Sequence, residues 1–234
     1  MVVVEGNDFY SDPRLSPDGT KLSWLAWDHP HLPWDGTELW LGEVAEDGSV
    51  GSSRIVAGGG EVAIFQPRWS PDGVLHYVSD ESGWWNLYRL EEGGPRNLLP
   101  MSGEFGLPQW VFRQTTYGFA PDGRIACSWL DSGTGAFGVL AHGHLTSIEN
   151  GYTNFNYVVA GESYAYFVAG SPTSSADIVR PPLNGVAPDV LRPSIDVPNA
   201  PAGSPAPATI PFPTACGLPP PARHPPPRHP ATQR

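Results

Sequence analysis

Two cysteines in 234 residues are too few for a disulfide framework. They also stand far apart, Cys127 in an apolar run and Cys216 in a proline-rich end. A reducing compartment fits that usage, with an oxidising one left open. Basic residues are scarce as well: 13 Lys and Arg against 24 Asp and Glu give a net charge of −11. A phosphate backbone is repelled by such a surface, so no nucleic-acid partner is expected. No apolar run approaches the ~18 residues needed to cross a bilayer. The start, MVVVEGNDFY, lacks the basic and long apolar regions of a signal peptide. A soluble, cytoplasmic chain without a membrane partner is the expectation. Long capped stretches of 3.6-residue period are missing too, which excludes a helical fold and leaves the all-β class.

Proline and glycine, by contrast, are abundant, at 28 and 27. Seventeen of the prolines fall in residues 181–234, whereas all nine tryptophans lie between Trp24 and Trp129. Residues 1–180 therefore read as the globular region and 181–234 as a tail. The charge divides in the same way, −13 for the globular region and +2 for the tail. Proline removes backbone donors and blocks helical geometry, so the tail is expected to be extended or disordered, with polyproline character towards its end.

A single kind of turn is written three times within the globular region. Ser16-Pro17-Asp18-Gly19, Ser70-Pro71-Asp72-Gly73 and Ala120-Pro121-Asp122-Gly123 each precede an apolar run, at intervals of 54 and 50 residues between glycines. Proline pre-sets φ at the first central position, aspartate bonds the backbone two residues on, and glycine takes positive φ without a steric penalty. Flanked by strand-like runs, such a turn is a hairpin signal. A third strand opens 14 residues after the glycine at Leu87 and again at Phe137, and 20 residues after it at Leu39. The insert DHPHLPW accounts for the six extra residues of that copy. A fourth short run closes each unit: SRIVA, RNLL and LTSI. A weaker unit, from Asn156 to about Arg180, has Ala160-Gly161-Glu162-Ser163 in place of the turn. Four strands per unit and a period near 50 predict an all-β partial β-propeller of about four blades.

The Ser-Pro-Asp-Gly turns resemble WD40-like propeller repeats of bacterial proteins. More closely, DFYSDPRLSPDGTKLSWLAWDHPHLPWDGTELWLGE and SGEFGLPQWVFRQTTYGF resemble the propeller of the prolyl oligopeptidase family of serine peptidases, nearest the dipeptidyl aminopeptidase/acylaminoacyl-peptidase type. The resemblance covers residues 5–180 and fades with a remnant, IPFPTACG. It implies a propeller of usually seven blades that restricts peptide access to an α/β-hydrolase domain carrying a Ser-Asp-His triad. The chain accordingly reads as a propeller fragment that stops before the hydrolase domain, inactive by itself, whose partners are peptide substrates or that domain. A stand-alone propeller module that binds a protein or peptide is the alternative, and open blade faces imply self-association.

The one mimic of a nucleophile elbow is Gly161-Glu162-Ser163-Tyr164-Ala165. An elbow needs a strand before its serine and a helix behind it, but YAYFVAG reads as a strand. The histidines further on, His224 and His229, lie in the proline tail, where nothing holds a general base. Ser163 is therefore expected to be a turn residue, and no catalytic residue, cofactor or metal site is assigned. Asp28, His29, His31 and Asp35 have the side chains of a metal site, yet two prolines restrict that insert and loop structure is the favoured reading. Its place between the second and third strands sets it on one propeller face. Trp34 and Asp35 are thus the residues expected to contact a substrate or the hydrolase domain. Of Trp84 and Trp85, alternation sends one ring into inter-blade packing. The pair His142 and His144 is expected to cap a hairpin, and Asp18, Asp72 and Asp122 to form turns.

Overall fold

Each repeated turn closes a hairpin by the same bonds. Gly19 N–H donates to the Ser16 carbonyl at 2.9 Å, Gly73 to Ser70 at 2.9 Å and Gly123 to Ala120 at 3.0 Å. The aspartates hold these turns: Asp18 accepts from the Ser16 hydroxyl at 2.6 Å and from Thr20 N–H at 3.1 Å. Asp72 accepts from the Ser70 hydroxyl at 2.5 Å. In the third copy alanine replaces that serine, and Asp122 takes the Arg124 Nε–H instead at 2.7 Å.

The computed structural model describes residues 2–172, 174–185 and 187–194, with the backbone of 208–211 and 221–224. Its strands form four antiparallel four-stranded sheets, each in sequence order. Blade 1 is β1 (Phe9–Leu15), β2 (Lys21–Trp27), β3 (Glu38–Val44) and β4 (Val50–Gly58). Blade 2 is β5 (Ile64–Trp69), β6 (Leu75–Ser79), β7 (Asn86–Glu91) and β8 (Gly94–Asn97). Blade 3 is β9 (Tyr117–Phe119), β10 (Ile125–Asp131), β11 (Thr134–Ala141) and β12 (His144–Ser147). Blade 4 is β13 (Asn154–Ala160), β14 (Ala165–Ser171), β15 (Ser174–Arg180) and β16 (Asp189–Arg192). No helix occurs among the described residues, and the all-β partial propeller expected from the repeats is the observed fold. Blade 4 takes its outer strand from beyond residue 180, inside what the sequence reading assigned to the tail. Further on, β17 (Ala208–Pro211) and β18 (Pro221–His224) pair with each other. As the two strands of an isolated pair, both are edges, where proline is tolerated. The rest of the expected proline-rich extension lies outside the described residues.

Alternation along the strands sends every second side chain to a neighbouring blade, so the cores lie between sheets. Leu25 and Leu39 meet Ile64, Tyr77 and Tyr88 between blades 1 and 2. Phe65, Val78 and Leu87 meet Tyr117, Cys127 and Trp129 between blades 2 and 3, with Phe105 of the connecting segment inserted. Ala126, Phe137 and Val139 meet Phe155, Phe167 and Val179 between blades 3 and 4. Leu39, Leu87 and Phe137, equated from spacing, occupy corresponding places on the third strands. Trp85 is the inward member of its pair, edge-on to Phe65, and Trp84 is exposed. His142 and Gly143, both at positive φ, turn the chain between β11 and β12. On the outward side of blade 4, Val159, Tyr166 and Ile178 stay exposed.

One backbone device was not visible in the repeats. Asp12, Gln66 and Tyr157 have φ of 48°, 51° and 58° in the first strands of blades 1, 2 and 4, where the pairing register skips. Asp12 and Gln66 stand four residues before the serine of their turns, and Tyr157 three before Ala160. A bulge with a left-handed residue redirects that side chain. At Gln66 it sends the amide across to blade 3, where Nε2–H donates to the Tyr117 carbonyl and Oε1 accepts from Thr116 N–H, both at 2.7 Å. The Tyr117 hydroxyl returns a bond to the Gln66 carbonyl at 2.9 Å.

Candidate functional site: an aromatic cavity on one propeller face

Antiparallel order puts the β2–β3 loop, the start of β1 and the links between blades on one face, with the Ser-Pro-Asp-Gly turns on the other. On the first face the insert of residues 28–36 folds back by local bonds. His31 N–H donates to the Asp28 carbonyl at 3.0 Å, and Asp35 N–H to the Leu32 carbonyl at 2.9 Å. The Asp35 carboxylate accepts from Leu32 N–H at 3.1 Å. A reciprocal clasp ties the loop to the strand before it: Asp28 accepts from Asp8 N–H at 2.6 Å, and Asp8 from His29 N–H at 3.0 Å. The Asp35 carboxylate therefore serves the insert's own backbone, and that of Asp28 the segment before β1. Among the described residues no group of three or more His, Cys, Asp or Glu is placed to hold a metal ion.

With its carboxylates bonded to backbone N–H groups, the insert presents a mostly apolar surface, in which His29 and His31 are the polar members. Trp34 lies against Trp110 with ring centroids 4.3 Å apart, and Phe9 stacks on Trp27 at 5.6 Å. These two pairs, with Leu32 and Phe112, wall a cavity of about 510 Å³. Trp110 is 74% exposed, Phe112 66% and Leu32 48%. Of the two residues expected here, Trp34 lines the cavity and Asp35 shapes the loop beneath it. Trp110, Val111 and Phe112 were not anticipated as site residues. They come from the long link between blades 2 and 3, held to the sheet by Gln109 Nε2–H donating to the Ile64 carbonyl at 3.2 Å. Their signal was in the sequence: three large apolar residues in a row within a connection, where water-facing residues are the rule.

Ser163 sits in the hairpin between β13 and β14, exposed, its carbonyl accepting from Leu183 N–H at 2.9 Å. A strand comes after it, as expected, so the arrangement of a nucleophile elbow is not formed there. The side chains of His224 and His229 lie outside the described residues. Cys127 is buried, and burial pushes its thiol up to about 12, so it remains a protonated core residue.

An aromatic-walled cavity on the loop face of a partial β-propeller defines the class: a propeller with one decorated face. The solved structures narrow it. A puromycin hydrolase crystal structure is 32% identical, with a TM-score of 0.86 over 96% of this chain and 35% of that one. A puromycin-hydrolyzing peptidase of Mycobacterium tuberculosis is 30% identical, with a TM-score of 0.84 over 93% of this chain and 34% of its own length. Prolyl oligopeptidase B of Galerina marginata shares the fold at 10% identity, with a TM-score of 0.64 over 94% and 31%. No family model matches the chain, and no curated protein matches it. The chain thus has a fold similar to the propeller regions of puromycin hydrolase and of prolyl oligopeptidases, and it spans about a third of the length of the structures it resembles.

Proposed function

We propose that this chain is the non-catalytic, access-limiting portion of a serine-type peptidase, related to the dipeptidyl aminopeptidase/acylaminoacyl-peptidase group. Its substrates are short peptides and aminoacyl amides of the puromycin kind, and its aromatic cavity guides them towards a hydrolase domain. The observation that carries this reading is the cavity itself: exposed Trp, Phe and Leu side chains gathered from three separate segments onto one face. Isolated apolar residues at a surface are ordinary, whereas a contiguous rimmed patch marks a binding surface. The similarity to two puromycin-hydrolysing proteins supports the substrate class.

A chimera tests it. This chain's residues 5–194 replace the matching region of the Mycobacterium tuberculosis puromycin-hydrolyzing peptidase, and puromycin hydrolysis is followed. Trp34→Ala with Trp110→Ala is expected to lower kcat/KM about tenfold, as the loss of a tilted aromatic pair and its apolar contacts implies. The 234-residue chain alone is expected to hydrolyse neither puromycin nor chromogenic peptides. Unchanged kcat/KM in the double variant would remove the cavity from the reading, and turnover by the chain alone would overturn its non-catalytic character.

A further inference from the structure

The indole N–H groups of Trp40 and Trp69 donate within the fold, to Glu38 at 2.9 Å and to the Arg14 carbonyl at 3.1 Å. Those of Trp34 and Trp110, which wall the aromatic cavity, bond no acceptor among the described residues. Trp110 is 74% exposed, so its ring is open to a partner. The cavity therefore offers aromatic faces and unengaged donors together, and among the described residues no Lys or Arg lines it. The residues next in sequence to its walls add Asp8, Asp28 and Asp35 against Arg113, a surplus of negative charge at its rim.

A run of prolines has the opposite inventory. It lacks backbone N–H donors, its carbonyls have no internal partners, and its φ is fixed near the polyproline II value before it binds. Segments of this kind dock in aromatic-lined grooves. The chain carries two such runs, residues 219–221 and 225–227, each followed by an arginine and a histidine. The first runs into β18, whose backbone pairs with β17. The second lies outside the described residues. From residue 197 to the end the chain holds Arg223, Arg228 and Arg234 and no Asp or Glu, so its charge is opposite to that of the cavity rim.

The path of the chain brings the two together. β16 runs antiparallel to β15, with Asp189 opposite Arg180 and Arg192 opposite Ile178. Its end therefore lies towards the β14–β15 turn, the counterpart in blade 4 of the β2–β3 loop. Ser194 N–H then donates to the Asp177 carboxylate, near the start of β15, at 3.2 Å. The chain thus leaves blade 4 on the face that carries the aromatic cavity. The 13 residues 195–207 span up to about 40 Å when extended. A body of this size has a radius of gyration of only about 16 Å. The second proline run can therefore reach the cavity even where β17 and β18 return the chain to its starting point.

We propose that the aromatic cavity binds the chain's own residues 225–230 as a polyproline II segment. Its prolines pack on Trp34 and Trp110, their carbonyls accept from the indole N–H groups, and Arg228 meets the acidic rim. Bound there, the segment competes with a substrate. That consequence rests on the substrate reading, whereas the docking does not; the chimera of residues 5–194 lacks the segment, so the two fail separately. Hydroxyl-radical oxidation of the 234-residue chain, read at Trp110 by mass spectrometry, tests it, with Trp84 as an exposed reference outside the cavity. At an effective concentration of about 1 mM, an affinity of about 0.1 mM fills the cavity roughly nine times in ten. Pro225→Ser with Pro226→Ser and Pro227→Ser is therefore expected to raise Trp110 oxidation about fivefold and leave Trp84 unchanged. A synthetic peptide of residues 221–230, PARHPPPRHP, should restore the protection. Should the serine variant fail to fold, Arg228→Glu is expected to raise Trp110 oxidation at least about twofold. Three results overturn the proposal: equal Trp110 oxidation in wild type and the folded variant, a peptide that restores no protection, or protection that grows with chain concentration and so comes from a second copy.

Discussion

Gln66→Leu is the sharpest test of how the blades are joined. Gln66 is 1% exposed, and its side-chain amide makes the 2.7 Å bonds to the Tyr117 carbonyl and from Thr116 N–H that bridge blades 2 and 3. Leucine has a similar volume and fills the same space, so the change removes polarity more than packing. It leaves a buried Thr116 N–H without its partner and takes one acceptor bond from Tyr117. An unmet buried donor or acceptor costs about 1–3 kcal/mol. Two bonds at this site therefore correspond to about 3 kcal/mol, with the left-handed backbone at Gln66 retained. For a chain of this size about 1 kcal/mol shifts Tm by roughly 2–4 °C, so Tm should fall by about 6–12 °C. Thermal unfolding by circular dichroism reads that shift, and hydrogen exchange should show the Thr116 amide losing protection first. A fall of less than about 2 °C with Thr116 still protected would mean that apolar packing alone joins these blades.

The His76 imidazole has its pKa pushed below 6.5 by burial, so its contribution to stability is present above the unfolded value of about 6.5 and lost as pH falls through the folded one. Urea midpoints should drop from about pH 7.5 to about pH 5.5, and His76→Gln should flatten that slope; parallel slopes would refute it. Gly58 has φ of 79°, and an added Cβ would collide with the Thr37 carbonyl oxygen, whereas Gly73 has φ of 80° with open space around it. Gly58→Ala is therefore expected to unfold the chain or cost more than about 3 kcal/mol, against about 1 kcal/mol for Gly73→Ala; similar urea midpoints for the two would contradict the steric reading. We also expect the chain to self-associate through the outward side of blade 4, so that Tyr166→Glu with Ile178→Glu raises the monomer fraction in sedimentation velocity. A wild-type chain already monodisperse and monomeric would count against that.

The fold was legible because its instructions are local. Asp18, Asp72 and Asp122 each bond within two residues of themselves, so a four-letter word is enough to announce a hairpin. The spacing from turn to third strand likewise placed Leu87 and Phe137 in matching registers, because hairpin geometry leaves little freedom once the turn is set. Ser163 could be rejected for the same reason: the residues after it have the period of a strand.

The features that stayed hidden depend on residues distant in sequence. Trp34 was visible as a loop aromatic, but its contact with Trp110 joins segments far apart in the chain. That contact forms only when the link between blades 2 and 3 reaches back to the insert of blade 1. The left-handed residues Asp12, Gln66 and Tyr157 share a place in the blade and no chemistry, so no motif marked them. Arg68, His76, Arg89 and Arg96 are scattered through the sequence and come side by side only when the four strands of blade 2 fall into register. Turn chemistry acts over a few bonds and is written in adjacent letters. Packed rings, bridged blades and side chains aligned across strands are properties of surfaces brought together, and those the tertiary structure alone decided.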